Sequence, residues 1–205
     1  DYIDNPLRFA FLSIAALEWA ATETQPFSVL HAHDWQGGLL AAYARRLGPE
    51  SLHVDRPLLA NTPSVFTIHN VAFQGAFDKS WVPVLGLRWE DFTVNGFEFW
   101  DRISFLKAGV MFSDAVTTVS PTYARESQSS EEFGHGLEGV LRARSADLVG
   151  ILNGIDDRAW NPATDSHLAA RYDRDDPTGK ETCKRALLEG RLEPSLRQLE
   201  EAQGL

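Results

Sequence analysis

Three polar stretches hold the residues in this chain best suited to chemistry. They are His31-Ala32-His33-Asp34-Trp35-Gln36-Gly37-Gly38, His69-Asn70-Val71-Ala72-Phe73-Gln74-Gly75 and Asn153-Gly154-Ile155-Asp156. Each closes a short apolar or β-branched run that reads as a strand. Carboxylate, imidazole and amide side chains beside glycine offer many hydrogen bonds in little space. In an open α/β sheet, ligands bind in the crevice beyond the carboxyl ends of the strands. Three stretches placed alike point to a polyhydroxylated or phosphorylated ligand. They predict that Asp34, His69, Asn70 and Asn153 converge on one edge of the sheet.

Plainer roles compete at each position. His31 and His33, two apart on a strand, point to the same side. With Asp34 they form a His-x-His-Asp pattern like part of a metallo-hydrolase ligand set. Zinc takes three or four ligands, and no further His or Cys follows at ligand spacing, so His31 reads as a packed strand residue. Asp34 can cap the helix that follows it and still face a ligand. Asn153-Gly154 is also a turn signal. Gly134, Gly136 and Gly139 match G-x-G-x-x-G, but no strand precedes them and no P-loop lysine follows. A G-x-S-x-G elbow is absent and Cys183 sits in a polar helix away from any histidine, which argues against acyl transfer.

These residues need a scaffold, and the periodicity supplies one. Arg8 to Thr22 has helical spacing, and Gly38 to Leu47 is helical with Gly48-Pro49 as its stop. Ser104 to Phe112 and Leu137 to Arg144 are further helices. Strands are expected over Phe27–His31, Ser64–His69, Ala115–Ser120 and Leu148–Asn153. Their alternation with helices predicts an α/β fold with a parallel sheet and helices on both faces. Residues 73 to 101 are irregular and rich in aromatics from Trp81 to Trp100, either a functional loop or a satellite core. Beyond Pro162 the chain turns polar, with helices over Lys180–Glu189 and Pro194–Ala202. Residues 1–165 therefore read as one domain and 166–205 as a helical connector.

Bulk properties narrow the partners. The 205 residues are 43% hydrophobic and carry a formal net charge of −10, which argues against a nucleic-acid footprint. The longest apolar-looking segment, Phe9 to Ala21, contains Glu18 and is too short for a membrane span. The single cysteine excludes an internal disulfide and fits a reducing, cytoplasmic setting. Neither end looks like a natural terminus, which suggests a fragment.

The motifs together resemble a known family. Asp4-Asn5 with Arg8-Phe9, His31 to Gly38, Phe66 to Phe77, Ile103 to Ser113, Val119 to Glu126, Phe133 to Leu141 and Gly150 to Pro162 are similar to the bacterial glycogen synthases, ADP-glucose-dependent relatives of plant starch synthases. The resemblance implies part of the N-terminal, Rossmann-like domain of a two-domain GT-B glycosyltransferase. That activity is retaining transfer of glucose from ADP-glucose to the non-reducing end of an α-1,4-glucan such as glycogen. The family's Lys-Thr-Gly-Gly motif is absent here, and so is its phosphate-binding C-terminal domain. By matching positions, the resemblance makes His69 and Asp34 the catalytic residues and Asn70 and Asn153 sugar-contacting amides, with Gln74 and Gly75 flanking the pocket. It implies neither a metal nor a cofactor, and it sets no oligomeric state. Two rival readings remain: a metal-dependent hydrolase using His31, His33 and Asp34, or a non-catalytic glucan-binding module using the aromatic loop.

Overall fold

A computed structural model describes residues 2–46, 59 and 61–190. By packing, the chain divides into two compact units, Asp1–Asn153 and Gly154–Leu205. The sequence boundary near residue 165 falls inside the second.

The first unit opens with helix α1 (Asn5–Thr22), where Pro6 occupies the first turn and so removes no helical hydrogen bond. Then come β1 (Leu30–His33), the one-turn α2 (Asp34–Gly37), α3 (Leu40–Arg46) and β2 (Ser64–Ile68). An excursion follows, containing β3 (Ala76–Asp78), α4 (Trp81–Val84), β4 (Glu98–Phe99) and β5 (Arg102–Ser104). Helix α5 (Phe105–Phe112) returns the chain to β6 (Ala115–Thr118), α6 (Pro121–Glu126), α7 (Glu131–Gly134), α8 (Glu138–Ala143) and β7 (Leu148–Gly150).

Strands β1, β2, β6 and β7 form one sheet in that order, and every neighbouring pair is parallel. The α/β class and the parallel sheet are as the alternation predicted. Residues paired across strands share a face. Ala32, Phe66, Val116 and Leu148 line one face, where α5 packs through Leu106 and Val110 and α6 through Ala124, with Leu137 and Leu141 beside them. Of the two helical layers expected, the described helices supply this one. The other face carries His31, His33, Val65, Thr67, Ala115, Thr117 and Val149, of which only Thr67 is buried.

Helix α5 is buried at every position but Met111, so it is apolar nearly all round, as a central helix must be. Gly109 lets it approach the sheet: a Cβ there would stand 2.4 Å from the Phe66 ring. The amino-terminal ends of β2 and β6 spend their polar groups on each other. Asp114 accepts from the Ser64 backbone N–H at 2.7 Å and pairs with Arg45 at 2.5 Å. Arg144 donates to the carbonyls of Val110 and Ser113, closing the end of α5.

The excursion is no separate satellite core, because its side chains pack into the same cluster as α1 and α3. Its antiparallel sheet, β3-β5-β4, packs with Val82, Leu85 and Phe97 buried and Trp81 and Phe92 partly so. In the second unit, Asp156, Asn161 and Asp173 cap turns with their own side chains, and residues 179–190 are helical. The stop at Gly48-Pro49 and the helix expected over Pro194–Ala202 lie outside the described residues.

Candidate active site

Parallel strands bring all their carboxyl ends to one edge. His33 and Asp34 stand at the end of β1, and His69 and Asn70 directly follow β2. Ser120 follows β6, where its hydroxyl accepts from the Thr122 and Tyr123 N–H groups and starts α6. Asn153 lies three residues past the end of β7. The four predicted residues therefore share the edge, but not one cluster.

Asp34 and His69 meet. The Asp34 carboxylate accepts the backbone N–H of His69 at 2.8 Å, tying the ends of β1 and β2 together. Asp34 itself sits at φ +49°, the left-handed region that aspartate tolerates better than most residues. The alternative role of Asp34 as a helix cap is not the one observed. His33 holds the N-cap position of α2, while the Asp34 side chain reaches across to the next strand.

The two imidazoles of His33 and His69 also meet, with Nδ1 of His33 3.1 Å from Nε2 of His69. Partial burial, then the neighbouring rings of His31 and His69, hold His33 below the usual histidine range, against an opposing pull from Asp34. A neutral His33 can share one proton with His69. His31 stacks on His33 at 4.2 Å between ring centroids, and its Nε2 meets the Thr67 hydroxyl at 2.7 Å. It was expected to be packed but is exposed, because no described helix covers that face of the sheet. Among the described residues no group of three or more His, Cys, Asp or Glu is placed to hold a metal, so the hydrolase reading loses its ligand set.

Asn70 turns its side-chain oxygen back to the N–H of Ala72 at 3.0 Å, which shapes the loop after β2. Val71 then donates its N–H to the Tyr123 hydroxyl at 2.9 Å, bracing the loop against α6. Burial, with a smaller push from Asp34, raises the Tyr123 phenol above its ordinary value. Gln74 donates to the His135 carbonyl at 2.8 Å. Asn153 stands two strands from β2, roughly 10 Å at the usual strand spacing. No hydrogen bond joins it to Asp34 or His69 among the described residues.

Two adjoining hollows open beside these groups and share Trp35 and Phe73. One, of about 310 Å³, is lined by Asp34 and Gln36, and the other, of about 250 Å³, by Asn5, Gln74, Gly75 and Phe77. Gly75 at φ +56° lies against the Trp35 ring, where a Cβ would come within 2.5 Å. Trp35 is packed against the rings of Phe9, Phe77 and Phe105. Sequence reasoning missed Trp35 and Phe73 as walls, Asn5 as lining, and the link from His33 to His69. A signal for Trp35 was its place inside the first polar stretch.

An open parallel sheet with a polar crevice at its carboxyl edge defines the class: an α/β domain whose crevice lies where ligands bind in such sheets. The family model of the starch synthase catalytic domain matches residues 1–143, and the chain belongs to that family. A glycogen synthase of Anaeromyxobacter sp. (strain Fw109-5) is 50% identical over 187 residues, covering 91% of this chain and 38% of the relative. The glycogen synthase of Myxococcus xanthus is 50% identical over 191 residues, with the same coverage. Among solved structures, the catalytic domain of starch synthase IV from Arabidopsis thaliana, bound to ADP and acarbose, superposes with a TM-score of 0.70 at 35% identity. That match covers 93% of this chain and 38% of the other, a GT-B enzyme. The chain thus spans about 38% of the length of these relatives.

Proposed function

We propose that this chain supplies the sugar-binding half of a retaining glucosyltransferase site that extends α-1,4-glucan with glucose from ADP-glucose, in cytoplasmic glycogen synthesis. The observation that carries the reading is the Asp34 carboxylate locked to the His69 backbone at the carboxyl edge, beside two hollows walled by Trp35 and Phe73. The names of the relatives, and the ADP and acarbose in the Arabidopsis structure, support it. In this reading residues 1–165 belong to the N-terminal domain and 166–205 lead out of it.

Cleaving a glycosyl phosphate passes through a state with positive charge at the anomeric carbon. A protein lowers that barrier by fixing geometry and by placing dipoles where charge develops. His69, held through its N–H by Asp34 and through Nε2 by His33, would in this reading hydrogen-bond a glucose hydroxyl or bring its carbonyl near the anomeric centre. Asn70 and Asn153 offer amides to the remaining hydroxyls. Gln74 and Gly75 shape the wall.

The diphosphate leaving group needs positive charge, and among the described residues no Lys or Arg lines either hollow. The 205 residues alone should therefore transfer no glucose, since each 1.36 kcal/mol of lost transition-state stabilisation costs about tenfold in rate. The test is incorporation of radiolabelled glucose into glycogen from ADP-glucose, with UDP-glucose in parallel. It is run on the isolated chain and on a full-length protein carrying it. Transfer by the full-length protein only, from ADP-glucose, is expected. Robust transfer by the isolated chain, or none by either, overturns the reading.

A further inference from the structure

The hairpin joining β4 to β5 turns through Trp100 and Asp101, both in the left-handed region at φ +54° and +59°. A two-residue turn with both central φ values positive is of the type that favours Asn-Gly, because side chains are strained there. Here the tip instead carries the bulkiest side chain, and it is 80% exposed. Trp81, Phe92 and Phe97 contrast with it, since they pack into the core shared with α1 and α3, while Trp89 is half-exposed.

The strained tip is also braced. Lys79 donates to both carboxylate oxygens of Asp101 at 2.7 Å, and Glu98 accepts the Asp101 N–H at 2.8 Å. Phe99 meets the indole edge-on at 6.1 Å between centroids. Held strain with an exposed side chain is the pattern of a functional element rather than of packing. The tip adjoins the candidate site through the loop after α7. A Cβ on Gly136 would stand 3.7 Å from the indole nitrogen, and the preceding His135 carbonyl takes the Gln74 side chain that lines the hollow.

We propose that Trp100 is an aromatic platform for an α-glucan chain, a subsite beyond the strand-edge hollows that holds the polymer by stacking on the flat, C–H-rich face of a glucose ring. A rigid indole presents a large apolar face at low conformational cost, and a neutral polymer suits a chain of net charge −10 better than an anionic one. The proposal rests on the glucosyltransferase reading for the identity of the ligand, but its test needs no catalysis.

The experiment is native gel electrophoresis of the 205-residue chain with and without glycogen in the gel, using serum albumin as the unretarded standard. The parent chain should be retarded by glycogen. Trp100→Ala should weaken the apparent affinity roughly five- to tenfold, the size of one aromatic stacking contact. Trp100→Phe should keep part of it. The double change Trp100→Asn with Asp101→Gly installs the favoured turn residues, so it should raise the urea midpoint while losing retardation. A purely structural role for the tryptophan cannot give that opposition. Retardation unchanged in Trp100→Ala, or none in the parent, overturns the subsite. Failure of the glucosyltransferase reading shows separately, as absence of transfer from ADP-glucose by the full-length protein.

Discussion

Gly75→Ala should be among the most damaging single-methyl changes in the site. The new Cβ would come 2.5 Å from the Trp35 ring and 2.9 Å from its Cβ. The ring is hemmed in, because Phe9 packs edge-on against it at 4.7 Å and Phe77 and Phe105 lie 5.8 and 6.5 Å away between ring centroids. Two costs add. Holding a side chain in the left-handed region costs about 1–2 kcal/mol, and forcing extra volume into a packed place costs about 1–3 kcal/mol. The expected loss is therefore about 2–5 kcal/mol. Gly139→Ala is the internal control. It lies in α8 with nothing among the described residues within 4 Å of the added methyl and no positive φ, so it should gain about 0.5–1 kcal/mol. Both are read from urea midpoints at unchanged slope. A Gly75→Ala chain within 0.5 kcal/mol of the parent would refute the packing argument, as would equal losses at both positions.

Two pH effects follow from the polar pairs. Burial pushes the Asp114 carboxyl up, but the Ser64 N–H and the Arg45 guanidinium outweigh it, so its folded value lies below the ordinary one. Its contribution is complete above about pH 4 and is lost as pH falls through the lower folded value, so Asp114→Asn should flatten the acid limb of a stability-against-pH curve. An unchanged limb would count against the pair. His33 is held low as well, so the unfolded chain takes up that proton first and stability falls as pH drops below about 6.5. NMR titration should place its midpoint below that of a free histidine and move it upward in His31→Ala; a midpoint at or above the free value contradicts the assignment.

The parts of the fold that were legible in the sequence are those set by local pattern. Ser64 to His69 reads as a strand because its residues fit a buried parallel strand, and it forms over all but the last of them. β1 lies three residues later than the apolar run suggested. Phe27 and Val29 stay partly exposed, and the ladder starts where Leu30 donates to the Pro63 carbonyl, which the partner strand decides. Helix α3 begins at Leu40 rather than Gly38, because Gly38 instead closes the one-turn α2, its N–H donating to the Trp35 carbonyl. The two- and three-residue strands of the excursion have too little pattern to show. At the site, the strand-end positions of Asp34 and His69 could be read in advance. The left-handed backbone of Asp34 and the meeting of His33 with His69 could not, since both arise only when β1 and β2 pair in register.

In the proposed reaction His69, fixed by Asp34 and His33, acts on the reacting sugar. The direct measurement is glucose transfer from ADP-glucose to glycogen by the full-length protein with and without His69→Ala, resolved into kcat and KM. An interaction made mainly in the transition state lowers kcat more than it raises KM. A kcat reduced at least a hundredfold with KM for ADP-glucose changed by less than about fivefold is the predicted result. A His69→Ala protein with unchanged kcat would contradict the account.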